Sequence, residues 1–264
     1  MVKKMSSDHN RSASLSMVMP CYNEQDILSY TVPKLLEEFD KSGYQLELIA
    51  VDNGSGDTTG EIIQAFAKKY PAVVYHRVDV NEGYGKGALA GVKIASAPWI
   101  GIIPADGQVD AEDVVRLYEA VLSTDGNVVG KVRRRFRMDG ILRKLVSSGF
   151  NLFVRLLWPR LESIDVNGSP KILPAKLFEV LDLQSKNWLL DVELMIKAHY
   201  LGVHVLELNV FARMRGNGLS HVRPITCWEF FKHLLIFRFS PSMKRWKSIA
   251  FSEQLPENKE KPIF

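Results

Sequence analysis

Polar side chains gather at the ends of apolar runs in this chain, where a folded sheet would offer them to a ligand. The run Leu46-Glu47-Leu48-Ile49-Ala50-Val51 passes directly into Asp52-Asn53-Gly54-Ser55-Gly56-Asp57, two carboxylates and an amide around a tight turn. An earlier run, Met17-Val18-Met19, leads into Pro20-Cys21-Tyr22-Asn23-Glu24, and a later one, Trp99–Pro104, into Ala105-Asp106-Gly107-Gln108. Asp106 and Gln108 stand two apart on an extended edge, so their side chains can face the same way. Their hard oxygen donors suit Mg2+ or Mn2+. Asn81-Glu82-Gly83-Tyr84-Gly85-Lys86-Gly87-Ala88 is glycine-rich but is no Walker loop, because the Lys-Ser/Thr ending is absent. Following the third predicted strand rather than the first, it is also a poor dinucleotide fingerprint; a plain strand-to-helix turn is the alternative. Lys131-Val132-Arg133-Arg134-Arg135-Phe136-Arg137, with Arg143-Lys144 close behind, is either a solvated face or a phosphate contact.

The elements that must hold these groups alternate in type. Strands are predicted at Leu15–Pro20, Leu46–Asp52, Val73–Val78, Trp99–Pro104, Val128–Lys131 and Val203–Phe211, with a strand-and-turn segment at Ser163–Leu173. Helices are predicted at Asp26–Phe39, Gly60–Lys69, Ala88–Ala97, Ala111–Ser123, Met138–Trp158, Leu189–Leu201 and Ile225–Phe239. This alternation predicts an α/β fold with a doubly wound, mostly parallel sheet, whose carboxyl edge binds ligands. Leu142, Leu145, Val146, Phe150, Phe153, Leu157 and Trp158 recur at helical spacing beside Arg143, Lys144, Arg155 and Arg160. That pattern describes either an interfacial basic helix or a core helix with a solvated face. Residues 1–14 read as disordered, 15–240 as one domain and 241–264 as a tail.

With 264 residues and 46% hydrophobic content, one sizeable core is expected. A charge of +4 from 34 basic and 30 acidic residues is too balanced for a general nucleic-acid binder. Cys21 and Cys227 imply no disulfide framework. No run reaches the ~18 apolar residues that span a bilayer, and the N-terminus lacks a signal-peptide pattern, so a soluble or peripheral intracellular protein is expected.

The ordered pair Pro20-x-Tyr22-Asn23-Glu24 and Val51-Asp52-x-Gly54-Ser55-x-Asp57 resembles the nucleotide-sugar half of family 2 glycosyltransferases, which have the GT-A fold. The resemblance implies that Pro20, Tyr22 and Glu24 line a nucleotide pocket and that Asp52, with Asn53 beside it, holds the base. The glycine-rich stretch is similar to the family's Asn-x-Gly-x-Gly-x-Ala turn, implying that Gly83, Gly85 and Lys86 lie close to the nucleotide sugar. Asp106 and Gln108 fall on the end of the Asp-x-Asp-x-Gln motif of dolichyl-phosphate mannose synthases. A divalent ion there bridges the donor phosphates, and Pro104 replaces its first Asp. The segment Gly140–Ser147 resembles the Arg-Lys-x-x-Ser region of polyprenyl-phosphate transferases, implying Arg143, Ser147 and Arg133 at an acceptor phosphate. Asp165-Val166-Asn167-Gly168-Ser169-Pro170-Lys171 looks like the acceptor side, with Asn167 and Lys171 as contacts. Asp191 and Glu193 match the family's acidic pair. Phe211–His221 resembles the Phe-x-x-Arg-x-x-Gly-x-Ser loop, lengthened by one residue, with Arg213 on a donor or acceptor phosphate.

Residues 15–130 would then form a nucleotide-sugar half and 131–240 an acceptor half. The implied enzyme is an inverting transferase moving sugar to a polyprenyl phosphate, with Mg2+ or Mn2+, peripheral on the cytoplasmic membrane face. Two alternatives stay open. A hydroxyl acceptor would need Asp191 as general base, and Pro104 is compatible with a weakly catalytic nucleotide-sugar-binding protein.

Overall fold

The computed structural model describes residues 13–137, 141–161, 163–212 and 224–253, with backbone alone at 135–137, 141–147, 212, 224–230 and 253. β1 (Leu15–Cys21) is buried at all seven positions. Such a continuous apolar run marks a central strand covered on both faces. β2 (Leu46–Asn53), β3 (Val73–Val78) and β4 (Trp99–Ile102) join it in parallel. β5 (Val128–Arg137), β6 (Lys171–Pro174) and β7 (His204–Ala212) complete a seven-stranded sheet of order β3-β2-β1-β4-β6-β5-β7. β6 alone runs antiparallel to its neighbours, so the mostly parallel expectation is borne out. The chain turns to β2 on one side of β1 and to β4 on the other. That switch point opens a crevice beyond the carboxyl ends.

Alternation along the strands divides the core. Leu15, Met17 and Met19 of β1 face α1 (Gln25–Ser42), α2 (Thr59–Lys69) and α4 (Ala111–Leu122). Val18 of β1 and Ile49 and Val51 of β2 face α3 (Tyr84–Val92) and the helices after β5. α1 buries Leu28, Val32, Leu35 and Phe39, one per turn, and ends at Gly43 with φ 76°, which an L side chain resists.

The second half departs more from expectation. β5 continues through the basic run to Arg137 and pairs with β7 along that length, so this run is a strand. α3 starts at Tyr84, four residues before the expected Ala88, and takes the glycines into its first turn. α5 (Ile141–Leu157) is the long helix; its expected first residues, 138–140, lie outside the described residues. Phe150 and Trp158 of the expected apolar stripe are buried and so are core, as is Val154 between them. α6 (Ala175–Leu181) was not expected, while α7 (Leu189–Tyr200) and α8 (Pro224–Phe239) match. The supposed tail contains α9 (Pro241–Glu253), which seats Met243, Trp246 and Ala250 in the core. Its apolar spacing of three and four residues is ordinary helix patterning. The expected disordered segment at 1–14 and the remainder of the tail lie largely outside the described residues.

Candidate active site

A cavity of about 720 Å3 opens over the carboxyl ends of β1, β2 and β4. Register explains the meeting: Cys21 stands opposite Asp52, and Asp52 opposite Arg77, in one row across three parallel strands. Hydrogen bonds then join the first two strand ends. Asn23 donates from its backbone to Ser55 Oγ (3.2 Å) and accepts from Gly56 N–H (3.0 Å). Gln25 Oε1 accepts from the Thr58 hydroxyl at 2.7 Å. Asn23 sits at φ 54°, a left-handed conformation that Asn tolerates better than most residues. Burial pushes the Asp57 carboxyl up, but hydrogen bonds from Thr59 and backbone N–H groups outweigh it and hold the group below its ordinary value.

Pro20, Tyr22, Glu24, Asn53, Gly83, Asp106, Gln108 and Asp191 all line the cavity. Asp52 does not. Its carboxylate is fully buried, bonded to Arg77 Nη1 at 2.7 Å and to Ser55 N–H at 2.9 Å. These partners make it an anchor of the Gly54–Gly56 turn, so the base-holding expectation does not fit its surroundings. The neighbouring Asn53 fits better. Its amide donates to Gly83 O at 3.1 Å, while its buried Oδ1 has no partner among the described residues. Asn167 Oδ1, also on the cavity wall, is likewise unsatisfied. Buried acceptors without donors are costly, and a ligand rich in O–H or N–H groups would satisfy both. Asn53→Ala should therefore raise the donor Michaelis constant, read by initial rates. Asp52→Asn should chiefly lower stability, by about 1.5–3 kcal/mol in a denaturant titration. Loss of donor affinity at unchanged stability in Asp52→Asn would return Asp52 to the ligand.

Packing also requires glycine at positions 83 and 85. A Cβ on Gly83 would stand 2.6 Å from Lys186 O, and one on Gly85 2.7 Å from Asn187 O. The turn needs glycine because another backbone segment packs on it. Lys86 lies off the cavity and pairs with Glu82 at 3.4 Å.

Among the described residues of the chain's second half, Arg134, Lys131 and Lys171 are buried or half-buried cations, each answered by a carboxylate. Arg134 lines the cavity and forks onto Asp165, Nε to Oδ2 and Nη2 to Oδ1, both at 2.9 Å. Burial works against its charge, but the Asp165 bonds and the Asp165, Asp191 and Asp106 charges prevail and raise its pKa. Lys131 is fully buried, bonded to Ser163 (3.1 Å) and Glu207 (3.0 Å). Burial, then the Lys171 charge, push it down to about 8 against Glu207 and Asp165. Lys171, expected to touch ligand, is instead 1% exposed and paired with Asp191. Arg133 does not line the cavity. Arg143 and Ser147 fall on α5 where only backbone is described, and Arg213 lies outside the described residues.

Sequence reasoning gave no individual role to Arg134 or Tyr84, though it named the stretches that hold them, nor to Trp188; all three line the cavity. Burial first, then the Asp191 and Asp106 charges, push Tyr84 well above its ordinary value, so it remains a neutral phenol. Cys21 is a buried spacer whose thiol burial also pushes up. No cluster of three or more His, Cys, Asp or Glu side chains suited to a metal occurs among the described residues.

The dolichol-phosphate mannosyltransferase of Pyrococcus furiosus is 27% identical over 229 residues, 83% of this chain and 62% of that protein. The undecaprenyl-phosphate 4-deoxy-4-formamido-L-arabinose transferase of Pectobacterium atrosepticum is 34% identical over 146 residues, 54% of this chain and 43% of that protein. The chain thus spans less than two thirds of either relative. Among solved structures, glucosyl-3-phosphoglycerate synthase from Mycobacterium tuberculosis, in complex with Mn2+, UDP and glucosyl-3-phosphoglycerate, shares the fold. Its TM-score is 0.63 at 19% identity, over 86% of this chain and 80% of that one. The sheet is that of the GT-A fold. A family model described as glycosyl transferase family 2 matches residues 16–181, from the first strand through α6 and most of the cavity wall, and the chain belongs to that family.

Proposed function

We propose that this chain moves a sugar from a nucleotide-sugar donor to a polyprenyl phosphate, with inversion at the anomeric carbon. The observation that carries the donor half is the pair of orphaned acceptors, Asn53 Oδ1 and Asn167 Oδ1, in a cavity that also presents Asp106 and Gln108. Both relatives described above are named for transfer to a lipid phosphate, which supports the acceptor class. Arg134 gives the same cavity a cation opposite its carboxylates, as an anionic acceptor requires. Asp191 is already engaged by buried Lys171. A carboxylate so held is suited to orient sugar hydroxyls, and a phosphate nucleophile, anionic at neutral pH, needs no base. That favours the phosphate acceptor over the hydroxyl alternative.

A divalent cation fits the donor set in part. Asp106 supplies a carboxylate and Gln108 an amide oxygen, both on the cavity wall, and Pro104 supplies nothing. Such a site is completed by the donor's own diphosphate oxygens and water, which suits Mg2+ or Mn2+. The ion would neutralise charge on the departing nucleoside diphosphate. Release of nucleoside diphosphate, followed with and without a short-chain polyprenyl phosphate, tests the reading. Dependence on the lipid supports it; equal release with a simple sugar acceptor overturns it.

The same reading places the protein at a membrane surface. No helix among the described residues is long and apolar enough to cross a bilayer. Leu152 and Leu156 on α5 and Leu235, Ile236 and Phe239 on α8 are nonetheless exposed, and Phe153 and Phe231 join the two helices at 4.8 Å. Exposed Arg155, Arg160 and Lys232 accompany them. Apolar side chains beside cations suit the interface of an anionic, cytoplasmic-type leaflet. Binding to anionic liposomes should fall with salt and leave an apolar remainder, which Leu156→Asp should remove. Equal binding to neutral and anionic vesicles would contradict the electrostatic part.

A further inference from the structure

A buried polar cluster behind the donor cavity has no part in the reaction proposed above. Glu193 and Lys197, one turn apart on α7, are 2% and 3% exposed and pair at 2.8 Å. Glu193 accepts the backbone N–H groups of Gln184 (3.1 Å) and Ser185 (2.8 Å). Lys197 donates to Asp182 O at 2.6 Å and lies 5.1 Å from the ring centroid of Trp246 on α9. The Trp246 indole N–H donates in turn to Val180 O at 3.1 Å. The loop between α6 and α7 is thus held from behind by one carboxylate and one ammonium, and the indole ties α9 to the last turn of α6, where that loop begins.

The other side of that loop packs on the donor site. Lys86 N–H donates to Lys186 O at 2.8 Å, and the closeness at Gly83 and Gly85 leaves no space for a side chain. Trp188, two residues on from Lys186, reaches the cavity wall and meets Phe150 edge-on at 5.8 Å. A loop position that abandons Glu193 would strand a buried carboxylate and its N–H partners, so the loop has one favoured seat. The glycine-rich turn has one seat as well, because it leans on that loop.

We propose that Glu193 is a positioning residue for the nucleotide-sugar pocket, acting with Lys197 and Trp246 through the 184–187 loop on the Gly83–Lys86 turn and Trp188. The inference rests on the donor reading of the cavity and deepens it. It makes α9, which lies beyond the matched family region, a strut of the donor site.

The test combines amide hydrogen exchange with steady-state kinetics on the full chain. Glu193→Gln keeps a carbonyl acceptor but leaves Lys197 buried without its counter-charge. It should speed exchange at both Ser185 and Lys86. It should also raise the donor Michaelis constant about 3- to 30-fold, the range of coupling through packed networks, with kcat and the acceptor constant nearly unchanged. Trp246→Phe, which retains packing and loses the indole bond, should move the same readouts less. Glu193→Gln with Lys197→Met removes the stranded charge and should recover most donor affinity. Faster exchange at Ser185 with an unchanged Lys86 amide or donor constant would overturn the proposal. A parallel fall in kcat, both Michaelis constants and melting temperature, without recovery in the double variant, would also overturn it. If the wild-type chain uses no nucleotide sugar, the donor reading fails by itself; the Lys86 amide still decides whether Glu193 controls the turn.

Discussion

Asp106→Ala is expected to lower turnover about 100- to 1,000-fold, the scale of losing one electrostatic stabiliser of a developing charge. Asp106 is the only carboxylate on the 104–108 strand end, because Pro104 occupies the place where a second would stand. Asp106 is half-buried, and its Oδ1 accepts from Gln108 N–H at 3.2 Å. Truncation at this half-buried side chain therefore removes the charge together with the Gln108 turn bond. Asp106→Asn separates these effects, since the amide keeps the turn bond and the volume. Turnover in Asn nearly as low as in Ala, at a melting temperature close to wild type, assigns the loss to charge. Rates near wild type at saturating Mg2+ or Mn2+ would remove Asp106 from the reaction. Pro104→Asp should tighten metal binding in the absence of nucleotide, because two carboxylates two residues apart can face one ion. Unchanged metal affinity would mean that the strand end has moved from the geometry such a pair needs.

The donor half was legible because its information is local. Apolar runs ending in Pro20–Glu24, Asp52–Asp57 and Ala105–Gln108 must become buried strands, and parallel strands bring their ends together whatever lies between. The same logic could not separate Asp52 from Asn53. Neighbours on a strand point to opposite faces, and only the register with Arg77 shows which of them is spent inside. The acceptor half was illegible for a different reason. The run 131–137 reads as a solvated face unless its charges find partners, and those partners, Asp165 and Glu207, lie 31 and 76 residues away from Arg134 and Lys131. Lys171 looked like a ligand contact because nothing nearby in sequence announces Asp191. α9 is the exception. Met243, Trp246 and Ala250 carry a helical stripe that the surrounding charges disguised as a tail.

Arg134 carries the other large effect, and two variants are needed to read it. The Arg134 and Asp165 side chains are 13% and 11% exposed, so Arg134→Ala strands a mostly buried carboxylate and should cost about 3–5 kcal/mol of stability. Lost activity in that variant alone would say little about substrate. Arg134→Met with Asp165→Asn removes both charges, keeps most of the volume and should regain much of the stability. If Arg134 meets the acceptor phosphate, this double variant should still lose about 10- to 100-fold in acceptor efficiency, the worth of a charge-assisted, bidentate contact. Donor binding should change little. Arg143→Ala provides the comparison: on α5 it should lower acceptor efficiency by a similar factor with no loss of stability. A double variant that is stable and transfers sugar to lipid phosphate at the wild-type rate would reduce Arg134 to scaffolding. If Arg143→Ala were then normal as well, the phosphate-acceptor proposal would have lost these two cations, and the hydroxyl acceptor, tested by Asp191→Asn, would be favoured over it.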